Sequence, residues 1–264
     1  MNHFTSAGPE EGYQSDVLHL LYHELTVEPA HHSYQVQADV FGDHLVLLAT
    51  LQKVGAIRPH LTFDDGHGSN FQTAFPMLQE HGMKANFFIT AGWIEKREGY
   101  MTWSELRSLQ RAGHYIGAHG WSHQLLTNCN REDLQKELSY ARKCLEDGLG
   151  QPVNTLSFPG GRFNRRVLQA SEEAGYTRVY TSVPRVESLP FGNLVGRVNI
   201  RSDWGVEKIA SLFDKDRRSI RNLQQQEKVK SLAKSLLGDT FYAKLWSLGN
   251  RKNADDDLVP NITA

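Results

Sequence analysis

Short apolar runs alternate along the chain with longer segments in which apolar residues recur every three or four positions. The runs have the length of buried strands, and the longer segments have the spacing of amphipathic helices. This alternation is typical of βαβ units in a parallel sheet. The predicted strands are 17–23, 59–63, 85–90, 115–119, 155–158, 178–181 and 194–200, and the predicted helices are 38–51, 70–81, 102–112, 131–145 and 165–174.

Seven strands in this arrangement indicate an α/β fold, an incomplete or distorted (β/α)7 barrel. Thr102 and Asn164 stand at the starts of predicted helices, where their side chains can cap the first turn. Asp64, His119 and Pro159 fall at the C-terminal ends of predicted strands. Barrel enzymes build their active sites at that end of the strands, so we expect a site there.

A change in composition beyond residue 213 divides the chain into three regions. Residues 1–15 are a polar extension, residues 16–213 form the barrel, and residues 214–264 are a charge-rich helical extension with a polar tail. Within 226–237, apolar residues share one helical face that lysines flank. Two interpretations of this segment are open: it packs on the barrel, or it makes a peripheral contact with a membrane surface.

Length, charge and cysteine usage exclude several classes of protein. A chain of 264 residues can bury the core of a one-domain enzyme. Its formal net charge of −1 argues against nucleic-acid binding, which would need a basic excess. Cys129 and Cys144 are its two cysteines, and their polar surroundings predict reduced thiols with no disulfide.

The N-terminal segment has no visible secretory signal. Residues 1–14 are polar and lack both a basic and an apolar region, and no apolar run is long enough for a membrane span. We therefore expect a cytoplasmic protein.

Two clusters of residues supply the chemistry of a mononuclear metal site. Asp64 and Asp65 precede a glycine at the predicted end of a strand, where a turn lets adjacent carboxylates reach one site. His119 and His123 are four residues apart, and a helix over 121–126 would place both imidazoles on one side.

The ligand types suit Zn²⁺ or a similar divalent ion. One carboxylate oxygen and two imidazole nitrogens leave a coordination position open for water, which is the pattern of a catalytic site. The plainer alternative is an acidic turn and a chance pair among twelve histidines. The two clusters together, in this order, favour the metal site.

These clusters resemble the first two motifs of the NodB-like polysaccharide deacetylases, carbohydrate esterase family four. Residues 62–66 read Thr-Phe-Asp-Asp-Gly, and residues 119–123 read His-x-x-x-His. Residues 112–119, Ala-Gly-His-Tyr-Ile-Gly-Ala-His, resemble the approach to the second motif. The likeness covers about residues 16–205.

The resemblance implies a fold, an activity and several residue roles. The fold would be the distorted barrel of the NodB type, and the activity would be metal-dependent hydrolysis of acetyl groups on N-acetylated sugars. Asp64 would be the general base. Asp65, His119 and His123 would hold one divalent metal ion, with Zn²⁺ expected.

The third family motif is only partly met. The family has an arginine shortly before Pro-Tyr or Pro-Phe, whereas here Pro159 is followed by Gly160 and the arginine comes later, at Arg162. The backbone N–H of Gly160 can still donate to an oxyanion, since that role needs no side chain. Whether Arg162 or Arg197 orients Asp64 is open, and a simple strand-ending turn is the alternative interpretation.

The fifth motif, Leu-x-His near the C-terminus, supplies the family's general acid, but no histidine follows His123. Leu21, Tyr22 and His23 provide this motif near the N-terminus instead. The chain therefore resembles circularly permuted members that act on exported poly-N-acetylglucosamine, with a first strand that closes the same barrel. His23 would be the acid, His19 is its rival, and a core role for His23 is the alternative.

The pair Asp203 and Trp204 resembles the fourth family motif, an Asp-Trp pair that tunes the acid and walls the pocket. The alternative is that Asp203 caps a helix.

These features predict a hydrolase that deacetylates the N-acetylated sugars of a polysaccharide or its precursor, a step of exopolysaccharide biosynthesis. A cytoplasmic location favours a lipid- or nucleotide-linked sugar as the substrate. Two other functions are open. One is an O-acetyl esterase or another small-acyl amidase, and the other is a non-catalytic carbohydrate-binding protein with a decayed site.

Overall fold

A mostly parallel sheet flanked by helices carries the motifs. The computed structural model describes residues 16–190 and 192–237, except the side chains of residues 230–237. The predicted extension 1–15 and the tail 238–264 lie outside the described residues.

Strands and helices alternate along the chain as the apolar pattern predicts. Two predicted helices, 70–81 and 131–145, each contain a π-helical turn that the apolar pattern does not predict. The pattern also does not predict three short strands, which are Glu24–Thr26, Gln35–Gln37 and Val186–Glu187. The strands are β1 (Asp16–Tyr22), β2 (Glu24–Thr26), β3 (Gln35–Gln37), β4 (Ile57–Phe63), β5 (Ala85–Ile89), β6 (Tyr115–Ala118), β7 (Thr155–Ser157), β8 (Arg178–Tyr180), β9 (Val186–Glu187), β10 (Leu194–Val195) and β11 (Val198–Asn199). The helices are α1 (Ala38–Val54), α2 (Phe75–Glu80), α3 (Trp103–Arg111), α4 (Arg131–Gln135), α5 (Ala141–Leu149), α6 (Arg165–Glu173), α7 (Val206–Ser211) and α8 (Arg218–Leu237), with π-helical turns at Asn70–Ala74 and Lys136–Tyr140 and 3-10 turns at Ala91–Trp93 and Pro159–Gly161.

The strand order makes the main sheet a nearly closed barrel. From edge to edge the order is β10, β8, β7, β6, β5, β4, β1 and β11, with parallel neighbours, and β9 pairs antiparallel with β1. Only Gly196 and Arg197 separate the edge strands β10 and β11 along the chain. Because the three Cα–Cα steps from Val195 to Val198 span at most about 11 Å, the two edges lie close together. This confirms the incomplete, distorted barrel.

Alternation along β4 shows how the two faces of the sheet are used. Leu61 and Phe63 are buried in the apolar core that the helices share. Thr62 and Asp64, on the other face, both accept hydrogen bonds from Arg197. Because successive side chains of a strand point to opposite faces, one strand supplies both the core and the interior of the barrel.

The predicted helix starts are confirmed at both cap residues. Thr102 Oγ1 accepts from Glu105 N at 3.3 Å, and the Glu105 carboxylate accepts from Thr102 N at 2.7 Å, which makes a capping box before α3. Asn164 Oδ1 accepts from Val167 N at 3.0 Å before α6. Polar caps therefore mark helix boundaries that the apolar pattern alone leaves indefinite.

The predicted last strand, 194–200, is not continuous. Its first part is β10, which pairs with β8, and its last part is β11, which pairs with β1. Gly196 lies in the crossing between them, where an added Cβ would come within 2.5 Å of Val183 O. The crossing therefore has no room for a side chain at this residue, and it leaves the following Arg197 fully buried.

The described start of α8 packs on the barrel. Ile220 is buried in the core, and Gln224 Nε2 donates to Pro184 O at 2.8 Å. The lysine-flanked face within 226–237 falls mostly on side chains outside the described set, so both the membrane contact and the domain boundary at residue 213 stay predictions. Among the helices of the described residues, none combines the length and apolarity that a bilayer span requires.

His114 is buried before β6 in a mainly apolar environment. Its Nδ1 accepts from Ala85 N at 3.2 Å, and its Nε2 is buried without a hydrogen bond. The rings of Phe75 and Phe87 meet it edge-on. Burial, together with the charge of Lys84, lowers the pKa of His114 to about 4. The imidazole is therefore neutral in the folded protein at neutral pH.

We expect the metal-free protein to lose stability on acidification, in part through His114. The unfolded chain takes up this proton near pH 6.5, whereas the folded protein resists it until about pH 4, so unfolding becomes more favourable as pH falls through this interval. His114→Gln should reduce the slope of unfolding free energy against pH there by up to about 1.4 kcal/mol per pH unit. Urea unfolding at several pH values measures this slope. Equal slopes for wild type and variant would contradict the prediction.

Candidate active site

Asp64 and Asp65 lie where β4 ends and the chain turns, as predicted. The strand stops at Phe63, and both Asp65 (φ +73°) and Gly66 (φ +86°) have left-handed backbone. This conformation costs a residue with a Cβ roughly 1–2 kcal/mol, and Asp is one of the types that tolerate it. The turn brings both carboxylates near one imidazole, since His119 Nε2 lies 3.8 Å from Asp64 Oδ2 and 3.2 Å from Asp65 Oδ1.

Asp65, His119 and His123 form a cluster of three metal-type ligands. Asp65 Oδ1 lies 3.2 Å from each Nε2 atom, and the three ligand atoms all lie within 4.8 Å of one another. The predicted helix over 121–126 is wrong, because this segment is a loop. His123 instead joins the cluster through left-handed backbone of its own, with φ +64°.

The hydrogen bonds around this cluster fit a divalent cation. The carbonyl of Ser157 can only accept, so His119 Nδ1–H donates to it at 2.9 Å, and the ring turns its Nε2 toward Asp65. Asp65 Oδ1 is buried without a hydrogen bond. Burial opposes its charge, but the neighbouring His123 and His119 hold the pKa of Asp65 well below its usual range. An ionised oxygen and two imidazole nitrogens are the ligand types of Zn²⁺.

Asp64 is buried and held by Arg197, which answers the question left open between Arg162 and Arg197. Arg197 Nη1 and Nη2 donate to Oδ1 and Oδ2 of Asp64, each at 2.7 Å, and Ser157 Oγ donates to Oδ2 at 2.8 Å. Burial alone would raise the pKa of Asp64, but the guanidinium brings it below its ordinary value. The carboxylate is therefore ionised and fixed in orientation, as a general base requires.

Arg197 is fully buried, yet all five of its N–H groups are bonded. Besides the two bonds to Asp64, Nε donates to Thr181 O at 3.2 Å, Nη1 to Thr62 Oγ1 at 3.2 Å and Nη2 to Ser157 Oγ at 2.7 Å. These partners come from β4, β7 and the residue after β8. The Arg197 side chain thus connects three neighbouring parts of the sheet to the carboxylate of Asp64.

His23 directly follows β1, beside Asp64. β1 pairs with β4 in a register that sets Tyr22 opposite Phe63, so His23 and Asp64 are the next residues of neighbouring strands. The ring is half-buried, and its Nδ1 is buried without a hydrogen bond. Burial lowers the pKa of His23, and the carboxylates of Asp65 and Asp64 oppose this shift. His23 is thus close enough to both carboxylates for their charges to act on its pKa. Its role as the acid stays a prediction.

The backbone of His23 is held in place by a side chain from the first π-helical turn. Asn70 Nδ2 donates to His23 O at 2.6 Å, and Asn70 is fully buried. The rival candidate His19 is buried further from the C-terminal end of β1, with its ring 4.9 Å from that of His60 and 5.6 Å from that of Tyr180. Of the two, His23 is the residue at the strand end.

The third-motif residues border the loop that carries the histidine ligands. Pro159 is buried in the turn after β7, and a Cβ on Gly120 would lie 3.6 Å from Pro159 Cγ. Gly160 is exposed and left-handed, with φ +62°, and a Cβ there would come within 2.7 Å of Leu125 Cδ2. The turn therefore disfavours any side chain at residue 160. Arg162 is half-buried just beyond it.

Asp203 is exposed between β11 and α7. The cap interpretation is wrong, because the N-cap of α7 is Gly205 and no side chain bonds there. Among the described residues, no hydrogen bond or ion pair joins Asp203 to His23. Its predicted effect on the acid stays a prediction.

Trp204 is connected to the end of β1 through a buried histidine. His44 Nε2 donates to Trp204 O at 2.9 Å, and the hydroxyl of Tyr22 donates to His44 Nδ1 at 3.2 Å. The Trp204 ring packs against the apolar core, with Lys208 Nζ 5.4 Å from its centroid. This chain of contacts supports the backbone directly before His23.

An aromatic wall stands beside His123. The Trp93 ring lies 5.5 Å from the His123 ring, and the Arg97 guanidinium lies over Trp93 at 4.1 Å and over Tyr100 at 4.8 Å. Burial and the nearby Asp65 carboxylate raise the pKa of Tyr100 to about 12, so its hydroxyl stays protonated. The wall thus combines an apolar surface with groups that can donate hydrogen bonds to a polar ligand.

Three buried polar residues around the site were missed by the sequence analysis: Ser157, Asn70 and Glu137. Ser157 had a weak signal, because it is polar within an otherwise apolar strand. Glu137 also had one, because it shares a helical side with Leu134 and Ala141, both buried. No local pattern distinguishes Asn70.

Comparisons with known proteins find relatives in sequence and in fold. Residues 53–179 match the family model described as polysaccharide deacetylase. YxkH of Bacillus subtilis is 30% identical over 128 residues, which cover 48% of this chain and 46% of that protein. The chitooligosaccharide deacetylase of Sinorhizobium fredii is 30% identical over 139 residues, 52% of this chain and 62% of that protein. The chain therefore spans about half the length of the curated relatives that it matches.

The same fold occurs in solved deacetylases. The Streptococcus pyogenes deacetylase PplD, solved in complex with acetate, aligns with a TM-score of 0.67 over 76% of this chain and 99% of that one, at 19% identity. At this identity the likeness establishes the fold alone. Together with the match over residues 53–179, which contain both the Asp-Asp and the His-x-x-x-His motifs, it makes the chain similar in sequence and in fold to polysaccharide deacetylases.

Proposed function

We propose that this protein is a metal-dependent hydrolase that removes acetyl groups from N-acetylated sugars. The observation that carries the proposal is the ionised Asp64 carboxylate, buried and held by Arg197 directly beside three converging metal-type ligands. A fixed base next to a cation site is the arrangement that hydrolysis of an acetamide by water needs. A relative named for deacetylation of chitooligosaccharides supports this choice of chemistry.

The metal ligands and the base have distinct roles in this proposal. A divalent cation held by Asp65, His119 and His123, with Zn²⁺ expected, would polarise the acetyl carbonyl and lower the pKa of a water molecule toward ~7. Asp64 accepts the proton of the attacking water. Arg197 keeps Asp64 ionised and oriented, and does not itself take up a proton.

Two further groups complete the reaction. The backbone N–H of Gly160, at the turn shaped by Pro159, donates to the oxyanion that forms at the carbonyl oxygen when water adds to the acetyl carbon. His23 protonates the amine nitrogen as the C–N bond breaks. Burial lowers the pKa of His23, which makes the protonated imidazole a stronger acid and also reduces the fraction of His23 that is protonated at neutral pH.

The substrate class in this proposal is an N-acetylated carbohydrate. The wall of Trp93, Arg97 and Tyr100 beside His123 supports it, because sugars offer both apolar ring faces and hydroxyl groups. A polymer and its lipid- or nucleotide-linked precursor both belong to this class. The cytoplasmic location and the place in exopolysaccharide biosynthesis stay predictions.

The two alternative functions differ in how well the geometry supports them. An O-acetyl ester fits the same site, because water activated by Asp64 attacks either kind of carbonyl. A non-catalytic binding protein is disfavoured. Arg197 and His23 lie beside Asp64 and offer the arginine and histidine that the altered third motif and the missing C-terminal histidine left unassigned.

The metal site is tested by removing one imidazole at a time. His119→Ala and His123→Ala should each lose both bound zinc and acetate release while the circular dichroism spectrum is retained, because each deletes one of three ligands at strand ends and in a loop. The matched control is His81→Ala, at the end of α2, which should keep full zinc content. Metal analysis after dialysis measures the outcome. Zinc content equal to wild type in both ligand variants would disprove the site.

The deacetylase function is tested with Asp64→Asn and short N-acetylglucosamine oligomers. The amide cannot accept the water's proton, so acetate release should fall by about 10²–10⁴-fold, the usual contribution of a general base. Zinc content should be kept. Asp147→Asn, at an exposed carboxylate on α5, is the control and should be fully active. Wild-type release from O-acetyl sugars alone would favour the esterase, and release from neither class would overturn the proposal.

The role of His23 is tested by comparing two leaving groups. His23→Ala should depress hydrolysis of the sugar acetamide by about 10²–10⁴-fold. It should affect an activated aryl acetate far less, because an aryl oxide leaves without protonation. His31→Ala, at an exposed histidine, serves as the control. An equal loss on both substrates would show that His23 is not the acid.

A further inference from the structure

The histidine ligands lie on a segment without regular structure, residues 119–123, which we term the metal loop. Its backbone is nevertheless bonded to the β5 side of the barrel. His119 N donates to Ile89 O at 2.8 Å, and the carbonyls of Gly120 and Trp121 accept from the two residues after Thr90, at 3.0 and 2.8 Å. These bonds leave the N–H groups of Trp121 and Ser122, between the two ligands, to be satisfied from the other side.

Glu137 satisfies those N–H groups. Its Oε2 accepts from Trp121 N at 2.7 Å and from Ser122 N at 3.0 Å, and its Oε1 accepts from Ser122 Oγ at 2.5 Å. The residue is only 3% exposed, and among the described residues it has no ion pair. A buried carboxylate is unfavourable unless it is fully hydrogen-bonded. All of its donors belong to the metal loop.

Local structure on both sides aims the carboxylate at the loop. Glu137 lies in the π-helical turn Lys136–Tyr140, between α4 and α5. Such a turn re-directs side chains relative to a regular helix and is frequent at functional sites. On the loop, Gly120 (φ +79°) has no Cβ, and an added one would lie 2.7 Å from Glu137 Oε2. The glycine therefore makes the room that the carboxylate occupies.

We propose that Glu137 is a positioning residue for the metal: it fixes Trp121 and Ser122 so that His119 and His123 converge on one point with Asp65. The inference rests on the proposed metal site and adds a requirement to it. Left-handed backbone at His123 is unfavourable by itself, so the loop needs contacts that hold it in this conformation. The hydrogen bonds of Glu137 to the two preceding N–H groups supply them.

The test measures metal affinity and not only activity. In Glu137→Gln the side chain keeps its size, but it loses the negative charge that strengthens the hydrogen bonds from the loop, and only one of its two terminal atoms can still accept. We expect the affinity for Zn²⁺ and for Co²⁺, measured by competition with a chromophoric chelator, to fall about 10–100-fold, as for other residues that orient metal ligands. The visible absorption of bound Co²⁺ should also change.

The matched control is Glu146→Gln on α5. Glu146 also accepts a backbone N–H, that of Val153 at 2.9 Å, but this group lies outside the metal loop. Glu146→Gln should keep wild-type metal affinity whatever its effect on the unfolding temperature of the metal-free protein, and only Glu137→Gln should weaken metal binding. A loss of stability in Glu137→Gln with wild-type affinity and Co²⁺ spectrum would reduce its role to a structural one and overturn the inference.

A milder variant keeps the test decisive if Glu137→Gln does not fold. Ser122→Ala removes one donor to Glu137 and should weaken metal affinity several-fold, whereas unchanged affinity would count against the inference. The outcomes also separate the two proposals. If the wild type binds neither Zn²⁺ nor Co²⁺, the proposed function fails and the inference fails with it. If the wild type binds and Glu137→Gln binds equally tightly, the inference alone fails.

Discussion

The buried ion pair between Arg197 and Asp64 is the interaction on which the site and the barrel both depend. Removing one partner of such a pair typically costs about 3–5 kcal/mol, because the other charge is left buried and uncompensated. Here every guanidinium N–H has an acceptor, and these acceptors lie on several strands of the barrel. The buried charge of Arg197 is therefore tolerated only when the strands that supply these acceptors are in place. Asp64 is oriented only in that completed barrel.

The fold was predictable from sequence to the extent that it depends on local patterns. Apolar runs located the long strands, and Thr102 and Asn164 located helix starts, because strand burial and capping act over a few residues. Two predictions failed because they depend on distant contacts. The strand at 194–200 is interrupted by the crossing between barrel edges, and the segment 121–126 is held as a loop by Glu137 and not by its own propensity.

The residues of the candidate site also separate into those that a local pattern predicts and those that depend on distant contacts. The candidate ligands Asp65, His119 and His123 were identifiable because their spacing is a chemical signature within short motifs. The residues that orient them were not, since Ser157 and Glu137 reach the site only through tertiary packing. Arg197 and His23 lie outside residues 53–179, the stretch that matches the family model. The strand register and the barrel closure, which no local pattern encodes, bring them to Asp64.

Because Gly196 and Arg197 come late in the chain, their position also determines when parts of the site can form during synthesis. Asp64 and Arg197 are 133 residues apart, so the base emerges from the ribosome long before the side chain that orients it. Until β9 and β11 have been made, β1 lacks the partners on one edge, and until Arg197 has been made the Asp64 carboxylate lacks its ion-pair partner. Pairings this distant in sequence form late and slowly. A nascent or partly folded chain thus carries all three metal-type ligands before the Asp64 carboxylate is oriented, and the arrangement that the proposed hydrolysis needs exists only in the completed barrel.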